Sequence, residues 1–515
     1  MKTILYTVCF LVFTSSWGQL FVPQPKDVTE KFFPNPDVEI KTPAFLKQKG
    51  FTNYEEMMAF IKPLVNQNQD IAKLSYIGES QKGLKVPIIN LSKGNASNKI
   101  KVWIQAGIHG DEPASTEGVL HLLHQMLSEG KHLELLNSLE IAVVPMANVD
   151  GMNRQLRVAV NGLDLNRDQT KLNAKESIFL KQSFSDFNAD VALDFHEYRA
   201  YRRDFVDYGE YGITNPYDVM FLFSGNLNVP KNLRDFTENK FVNPTKDFLE
   251  SKDLRSFNYF STGEYKGQDC FNMGSVNARS SATSYALTNA ISTLIEVRGV
   301  ALGRTSFKRR TMTTYWVAES YLKKAVELKD EIKSQIQTAT QSKQDAAVIS
   351  KRSTSKYEMK MIDLAKNEII TEEVILRNAL ESIPILTRER PTAYILLPSE
   401  KELVKRLKIL GLEVEELTEE LELEVESYKV TEYLRDLNKY EGVKRQDVMT
   451  EIQTLVKNFP KGSYVVNLDQ RKSNIAIATL EPETRNSFVS FRVINTSLGE
   501  TLPYYRYLKS KNDLK

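Results

Sequence analysis

The sequence predicts an α/β protein with a mixed central sheet that carries helices on both faces, followed by a smaller α+β domain at the carboxyl end. Three observations lead to this expectation. Short apolar runs alternate with helical patterns over the first two thirds of the chain, a polar stretch rich in Ser, Lys and Gln follows, and β-like runs dominate the remainder. Strands separated by helices are typical of a sheet that is covered on both faces.

Short apolar runs are predicted as buried strands of the central sheet. Runs of this length and composition favour strands over helices. The four strand candidates are residues 100–106, 139–144, 190–195 and 293–297. Several other segments show helical periodicity, among them Ser115 to Leu127 and Thr314 to about Ala339.

The amino terminus has the pattern of a cleaved secretory signal, which we place at residues 1–18. Lys2 precedes an apolar run from Ile4 to Phe13, and residues that are small and polar except for Trp17 follow up to Gly18. The alternative, a membrane anchor, is disfavoured because the run is shorter than the roughly 20 residues that span a bilayer. We expect a secreted or periplasmic protein with no stable membrane insertion after signal removal.

The length of 515 residues exceeds that of one ordinary domain. We place a main domain at residues 19–345 and an accessory α+β domain of unknown role at 346–515. Within the latter, residues 421–426 alternate apolar and acidic side chains, which predicts a half-buried strand. The net charge is only +2 and no basic stripe stands out, so we expect no nucleic-acid partner.

Two histidines and a glutamate are candidate metal ligands. His109 and Glu112 stand three residues apart just after a predicted strand, and His196 ends another. Ligands at the carboxyl ends of strands converge at one edge of an open α/β sheet. A site of two His and one Glu is a common zinc arrangement. The alternative is a solvated loop, and a second metal site at His121 and His124 stays open.

Glu296 is a charged residue inside an apolar strand. Such a residue is costly unless it is paired or functional. It could act as a general base beside a metal-bound water, or it could form a buried ion pair with Arg298 or with a neighbouring strand. The chemistry of the residues alone does not decide between these two.

Arginines follow between the metal-ligand motifs. Arg154 and Arg157 come first, and Asn166 and Arg167 follow in the run DLNRD. A guanidinium binds a substrate carboxylate through two parallel hydrogen bonds, and a cation near a metal can stabilise an oxyanion. The alternative is an ordinary surface loop.

In this order, the elements HGDE, NVDG, RQLR, DLNRD, DFHE and IEVRG resemble the zinc metallocarboxypeptidase family of the carboxypeptidase A and B type. The resemblance covers about residues 50 to 320. The downstream sequence is similar to that of the large bacterial secreted members. The resemblance implies a zinc carboxypeptidase-like fold and a catalytic domain at 19–345.

The resemblance also implies one Zn²⁺ per chain, bound by His109, Glu112 and His196. Glu296 would activate a zinc-bound water, and Arg157 would polarise the scissile carbonyl and hold the oxyanion. The implied reaction is removal of residues from the carboxyl end of peptides.

The same resemblance implies that Asn166 and Arg167 bind the free carboxyl terminus of a peptide, with Arg154 assisting. Two departures from the family pattern stand out. Val149 replaces a loop proline, and Gly274 occupies the counted position of the mobile tyrosine of pancreatic members.

Three other functions are compatible with the motifs. Aspartoacylases and succinylglutamate desuccinylases share the ligand pattern but deacylate N-acyl amino acids. A muropeptide hydrolase of the cell wall would use the same site. A binding protein with a decayed site is disfavoured because all three ligands and Glu296 are present.

Overall fold

The computed structural model describes residues 24–94, 98–206 and 208–514. The predicted signal at residues 1–18 lies outside these ranges. No helix within them combines the length and the apolar character that crossing a bilayer requires.

The described residues form nineteen strands. In chain order they are β1 (Ala72–Glu79), β2 (Lys85–Leu91), β3 (Ile100–Ala106), β4 (Leu139–Val144), β5 (Val191–Tyr198), β6 (Ile213–Thr214), β7 (Val219–Phe223), β8 (Ser256–Asn258), β9 (Phe260–Tyr265), β10 (Gln268–Met273), β11 (Ile291–Arg298), β12 (Ala346–Asp363), β13 (Glu368–Arg388), β14 (Ala393–Leu396), β15 (Glu415–Glu416), β16 (Leu421–Arg435), β17 (Gln446–Phe459), β18 (Tyr464–Asn467) and β19 (Tyr504–Tyr507).

Twelve α-helices accompany the strands in the described part of the chain. They are α1 (Lys26–Phe32), α2 (Tyr54–Asn66), α3 (Pro113–Leu127), α4 (Val149–Arg154), α5 (Lys175–Phe187), α6 (Lys231–Phe236), α7 (Asn243–Glu250), α8 (Ser281–Ala286), α9 (Phe307–Glu327), α10 (Lys329–Gln341), α11 (Lys401–Ile409) and α12 (Ser473–Leu480). A π-helical turn, Thr237–Val242, joins α6 to α7.

The central sheet has eight strands in the order β1-β2-β4-β3-β5-β11-β7-β8. The strands β4, β3, β5 and β11 are parallel, whereas β2 and β7 run antiparallel to their neighbours β4 and β11. Parallel neighbours require crossover connections, and helices supply them. All four runs predicted as strands lie in this sheet. The predicted mixed α/β class is therefore confirmed.

Side chains from the two faces of the sheet contact different helices. Trp103 on β3 packs edge-on against Phe184 of α5, with ring centroids 5.7 Å apart. On the other face, Thr293 of β11 accepts a hydrogen bond from Tyr321 of α9 at 3.0 Å. In the register of the sheet, Thr293 aligns with Leu193 and, through it, with Ile104. Consecutive residues of a strand point to opposite faces, so Trp103, the neighbour of Ile104, lies on the face opposite to Thr293. The expected helices on both faces are thus present.

The predicted long helix between residues 314 and 339 is wrong in one respect, because it is two helices. The backbone leaves the helical conformation at Leu328, where φ is −101° and ψ is 18°. Leu328 is buried, and α10 restarts directly after it. Neither Gly nor Pro occurs at the junction, so the sequence carries no breaker signal there.

The remaining strands form two further sheets. Five strands pair in the order β6-β12-β13-β10-β9, and six antiparallel strands pair in the order β15-β18-β14-β19-β16-β17. The first of these joins the long hairpin β12–β13 in parallel to β10, so it takes strands from both sides of residue 346. The six-stranded sheet and α11 and α12 form the expected smaller α+β region, and residues 421–426 begin its strand β16. The division into domains at 345 and 346 stays a prediction.

A buried carboxylate organises the core of the carboxyl-terminal region. Glu481, which is fully buried, accepts hydrogen bonds from the hydroxyl groups of Tyr394 and Tyr428 at 2.7 and 2.9 Å. Its second oxygen receives Arg388 Nη1 at 2.7 Å, and that guanidinium also binds Glu483. A buried polar network of this kind is costly to break in part.

We predict that Glu481→Gln lowers the free energy of unfolding by about 1–3 kcal/mol, because the amide nitrogen cannot accept the bonds that the carboxylate accepts. Urea unfolding followed by circular dichroism measures the change. The control is Glu424→Gln, which removes an exposed carboxylate on β16 that pairs with Lys509 and should shift stability by less than about 0.5 kcal/mol. Equal effects of the two substitutions would contradict the structural role of the network.

Candidate active site

The candidate site lies where β3, β5 and β11 end at the same edge of the central sheet. His109 and Glu112 lie in the loop that joins β3 to α3. His196 lies near the end of β5, and the parallel register places Glu296 of β11 directly beside it. Three segments that are distant in sequence therefore present their polar side chains together, as expected for an open α/β sheet.

Close backbone packing shapes the loop after β3. Gly110 lies against Gly151 at the start of α4, and a Cβ at position 110 would overlap the backbone of Gly151. The amide of Gly110 also donates to the carbonyl of Leu156 at 3.1 Å. The glycines of the HGDE and NVDG motifs thus allow the two loops to touch, which brings the arginine-bearing segment next to His109.

The side chains of His109, Glu112 and His196 converge on one point. His109 Nδ1 lies 2.7 Å from Glu112 Oε1, and His196 Nδ1 lies 2.9 Å from Glu112 Oε2. The two Nδ1 atoms are 3.0 Å apart. Among the described residues, these three form the single group of His, Cys, Asp and Glu side chains able to share a metal ion. His121 and His124, considered above as a second metal site, belong to no such group among the described residues.

The outer nitrogen of each imidazole is held by an aspartate. His109 Nε2 lies 3.0 Å from Asp164 Oδ1, and His196 Nε2 lies 3.0 Å from Asp194 Oδ2. An imidazole that donates its Nε2 hydrogen to a carboxylate turns the lone pair of Nδ1 towards the opposite side, here towards the common point. Two such lone pairs and a carboxylate are a suitable donor set for Zn²⁺.

The charges around this point favour a cation. Burial lowers the pKa of His196, but Asp194 and Glu112 outweigh it and raise the pKa well above its ordinary value. For His109, the carboxylates of Glu112 and Asp164 likewise overcome burial, and the net pKa is raised. A positive charge at this position is therefore stabilised by its surroundings, which is consistent with a metal site.

Glu197 binds Glu112 through its backbone and forms a buried ion pair through its side chain. The amide of Glu197 donates to Glu112 Oε2 at 3.1 Å. The side chain of Glu197 binds Arg310 of α9, with 2.8 Å between Nε and Oε1, and accepts the amide of Ala114 at 3.0 Å. Since both side chains are buried, this pair ties β5 to α9 and to the start of α3.

Arg157 reaches the same cluster from the loop after α4. Its Nη1 lies 3.1 Å from Glu112 Oε1, and its Nη2 lies 2.9 Å from Asp164 Oδ2. Burial lowers the pKa of the guanidinium, but Asp164 and Glu112 outweigh it, so the net pKa is raised and the charge is held firmly. About two fifths of the side chain is exposed, and Arg157 lines the adjoining cavity.

A cavity of about 440 Å³ opens beside these residues. Its lining includes His109 and the predicted residues Arg157, Asn166, Arg167 and Glu296. Arg154 is not part of the lining; it is exposed in the last turn of α4. Its predicted assisting role stays a prediction without support from its position.

Glu296 forms no ion pair with any described residue. Arg298, the partner considered from sequence, instead donates to Gln24 at 3.1 Å and to Thr214 at 2.8 Å. Burial raises the pKa of Glu296 to about 7, against the opposing effect of His196. A carboxyl group with this pKa, open to a cavity and beside a cation site, has the properties of a general base.

Asn166 and Arg167 belong to a short 3₁₀ turn, Leu165–Arg167, that begins at Asp164. Asn166 is buried, and its Oδ1 accepts the amide of Ser281 at 2.8 Å. Ser281 Oγ in turn donates to Asp194 at 2.5 Å. This chain of bonds connects the turn to the aspartate behind His196, so the turn and the metal cluster hold each other in place.

Sequence reasoning missed several residues of the site. Asp164 and Asp194 each stand two residues before a predicted site residue, Asn166 and His196, and that spacing in a strand or turn was a usable signal. Tyr259 also lines the cavity, and burial and the charge of Glu296 raise its pKa to about 12. No local signal in the sequence pointed to it.

Glu441, in the turn between β16 and β17, also contributes to the site from far along the chain. Its Oε2 accepts the amide of Asp164 at 2.9 Å, and its carbonyl accepts Lys171 Nζ at 3.2 Å. Neighbouring Tyr440 lies under Arg279, with 5.0 Å from ring centroid to guanidinium carbon. The carboxyl-terminal region therefore contacts the segment that bears Asp164.

Known proteins that the sequence matches are carboxypeptidases. The sequence model of the zinc carboxypeptidase family (Peptidase_M14) matches residues 57–198, a range that includes His109, Glu112 and His196. Carboxypeptidase 2 of Trichophyton rubrum is 28% identical over 97% of this chain and 96% of its own length. Carboxypeptidase 2 of Trichophyton equinum is 29% identical over 89% of this chain and 87% of its own.

The predicted resemblance to the zinc carboxypeptidase family is confirmed. The enzyme is a zinc metallocarboxypeptidase, as predicted from its motifs, and the family implies the zinc that the buried His–Glu–His group fits. Among solved structures, carboxypeptidase A from Helicoverpa armigera covers 54% of this chain and 74% of its own at 16% identity, with a TM-score of 0.41. The strand order of the central sheet itself defines the fold. The likeness to large bacterial members stays a prediction.

We predict that His196→Ala lowers zinc affinity at least about 100-fold, because removing one of three ligands leaves an incomplete donor set. Zinc content after dialysis against a dilute chelator, determined by mass spectrometry, measures the loss. His121→Gln is the matched control, since this buried histidine packs on Tyr315 away from the cluster and the variant should retain zinc. Zinc retained by His196→Ala, or lost equally from the control, would contradict the assignment.

Proposed function

We propose that the enzyme is a secreted zinc-dependent carboxypeptidase that removes single residues from peptides with a free carboxyl terminus. The observation that carries this proposal is one cavity lined by His109 of the His–Glu–His cluster, by Glu296, and by Asn166 and Arg167. Such a cavity can hold a scissile bond and a terminal carboxylate at the same time.

In this proposal His109, Glu112 and His196 hold one Zn²⁺. When bound, the ion supplies Lewis-acid chemistry, which polarises the carbonyl of the substrate and acidifies water. The aspartates behind the two histidines keep the Nδ1 atoms directed inward, and Arg157 balances the negative charge of Glu112.

Glu296 is proposed as the base that takes a proton from the attacking water and passes it to the leaving amine. Its elevated pKa supports this role, because a carboxyl near neutrality can both accept and release a proton at physiological pH. No neighbouring cation among the described residues neutralises it through an ion pair. Its position beside His196 in the register also supports this role.

Arg157 is proposed to hold the oxyanion, and Asn166 and Arg167 to bind the terminal carboxylate. Arg157 is held by Asp164 and Glu112 yet remains partly exposed to the cavity. Arg167 makes one hydrogen bond, from Nη1 to the carbonyl of Asn166 at 3.0 Å, and pairs with no carboxylate of the described residues. Its guanidinium is therefore available for a carboxylate from a substrate.

Secretion is proposed from the pattern at residues 1–18. Mass spectrometry of the mature amino terminus, after export from the producing cell, would test cleavage near Gly18.

The deacylase alternative shares the metal site but not the substrate. The relatives named carboxypeptidase span nearly the whole chain, which favours the peptidase. Assays that compare N-acetyl amino acids with peptides separate the two activities.

We predict that Glu296→Gln reduces kcat by about 10²–10⁴-fold while zinc content stays unchanged, because the amide cannot accept a proton.

A carboxylate base is inactive when protonated, so kcat/KM of the native enzyme should rise with pH up to the pKa of Glu296. That pKa is about 7 without a bound cation, and a cation lowers it, so the acidic limb should lie at or below pH 7.

The control for Glu296→Gln is Glu140→Gln, in strand β4 of the same sheet, which should keep full activity. Substantial turnover by Glu296→Gln, or an acidic limb that persists unchanged in that variant, would argue against Glu296 as the base.

We predict that Arg167→Ala lowers kcat/KM for free-carboxylate peptides by about 10–100-fold, because a charge-assisted pair is lost. Hydrolysis of the corresponding carboxyl-amidated peptides, which lack that charge, should change little. Parallel assays of both peptide sets measure the difference. Arg154→Ala provides an exposed arginine for comparison, and a loss as large as that of Arg167→Ala would transfer the carboxylate-binding role to it.

A further inference from the structure

A second cavity, of about 600 Å³, adjoins the active-site cavity. The two share lining residues, among them Arg279 and Arg352. The second cavity is bounded by the segment before α8, by the hairpin β12–β13 and by the segment after α12. It is thus formed partly by residues downstream of 345, outside the range that resembles the family.

Positive charge dominates this second cavity. Five cationic side chains line it, and we call them the cationic cluster: Arg279, Lys351, Arg352, Arg377 and Arg485. Its single acidic lining residue is Glu483. Both oxygens of Glu483 are already engaged by Arg388, at 2.7 Å each. The cavity therefore has no free carboxylate of its own to balance the cluster.

Carboxylates outside the cavity do not balance the cationic cluster either. None of its five members forms an ion pair with a carboxylate of the described residues. Arg352 makes one long hydrogen bond, 3.4 Å from Nη2 to the carbonyl of Gly274, and Arg377 lies over the ring of Tyr265 at 4.5 Å. Arg279 Nη1 and Arg377 Nε are buried without a hydrogen-bond partner in the described part of the chain.

The positive charges of the cluster act on one another. Burial, and then the positive charges of Arg167 and Arg485, lower the pKa of Arg279 to about 9. Burial and the charges of Arg377 and Arg485 lower the pKa of Arg352. Guanidinium groups brought together without counter-charge are destabilising, and a bound anion relieves this repulsion.

The position of the cluster relative to Arg167 indicates which anion fits. Arg279 and Arg352 of the cluster line the active-site cavity together with Arg167, whereas the other three members line only the second of these two cavities. The cationic cluster therefore begins inside the cavity that contains Arg167. A terminal residue whose main-chain carboxylate lies at Arg167 would direct its side chain towards Arg279 and Arg352.

We propose that the cationic cluster binds the side-chain carboxylate of an acidic residue at the carboxyl terminus of the substrate, so that the enzyme prefers peptides that end in Glu or Asp. This inference rests on the proposed function, because it assumes that Arg167 binds the main-chain carboxylate of that residue. Arg352, on β12, links the accessory region to substrate choice.

The test uses two peptides that differ only in a terminal Glu or Gln, which have the same shape but differ in charge. We expect kcat/KM to be at least tenfold higher for the Glu peptide. Arg352→Gln should reduce this ratio at least about fivefold, and Arg352→Lys should retain part of it. Lys360→Gln is the matched control, because Lys360 is an exposed cation on the same strand and lines neither cavity.

A ratio near one in the native enzyme, or a ratio that Arg352→Gln leaves unchanged, would overturn the inference. A second peptide pair, with Glu or Gln at the penultimate position, should show no comparable preference, and a larger preference there would also overturn it. Hydrolysis of the Gln peptide at the same rate as the Glu peptide would leave the proposed carboxypeptidase activity intact.

Equilibrium binding to the Glu296→Gln variant gives the same comparison without turnover. Calorimetric titration with both peptides should show tighter binding of the Glu peptide by at least tenfold, and equal affinities would contradict the proposal. If the native enzyme cleaves neither peptide, the proposed function fails, while this binding measurement still decides whether the cluster recognises an acidic terminal residue.

Discussion

The parallel register of β3, β5 and β11 is the constraint on which the site depends. It brings the carboxyl ends of three strands to one edge and sets Glu296 beside His196. A slip of one residue would turn these side chains to the opposite face of the sheet. The apolar residues that alternate with them, buried on both faces, make such a slip costly, so the core of the enzyme and the geometry of the site have the same physical origin.

Charge is arranged in two zones around this edge. The inner zone is rich in carboxylates, with Glu112, Asp164 and Asp194 surrounding two imidazoles, and it favours a cation. The outer zone contains the cationic cluster and favours anions. The two zones adjoin, because Arg279 and Arg352 of the cluster line the same cavity as His109. The proposed substrate, a peptide with a polarisable carbonyl and a terminal carboxylate, would fit two adjoining zones of this kind.

Local pattern accounts for much of what the sequence predicted. The four central strands are short apolar runs, and the site residues follow them within a few positions, so periodicity and motif spacing were sufficient. The motifs also located His109, Glu112 and His196, which the structure brings together. The break at Leu328 was missed because no Gly or Pro occurs there, and the long helix had continuous periodicity.

Other parts of the site depend on contacts between segments that are far apart in sequence. Glu441 lies in a turn between two strands of the carboxyl-terminal sheet, yet its carboxylate accepts the amide of Asp164. Arg352 lies on a strand that pairs within a sheet spanning both sides of residue 346 and lines both cavities. Neither residue stands near a motif, and only the folded chain reveals their proximity to the site.

These long-range contacts change the interpretation of the carboxyl-terminal region. A packing module would bury apolar surface and leave the site unchanged. Here the region supplies a backbone-binding carboxylate behind Asp164, an aromatic ring beneath Arg279 and part of the wall of the second cavity. Since Asp164 orients His109, a shift of the turn at Glu441 would be transmitted through two hydrogen bonds to the metal cluster. The region therefore helps to hold Asp164 in place and forms part of the wall of the second cavity.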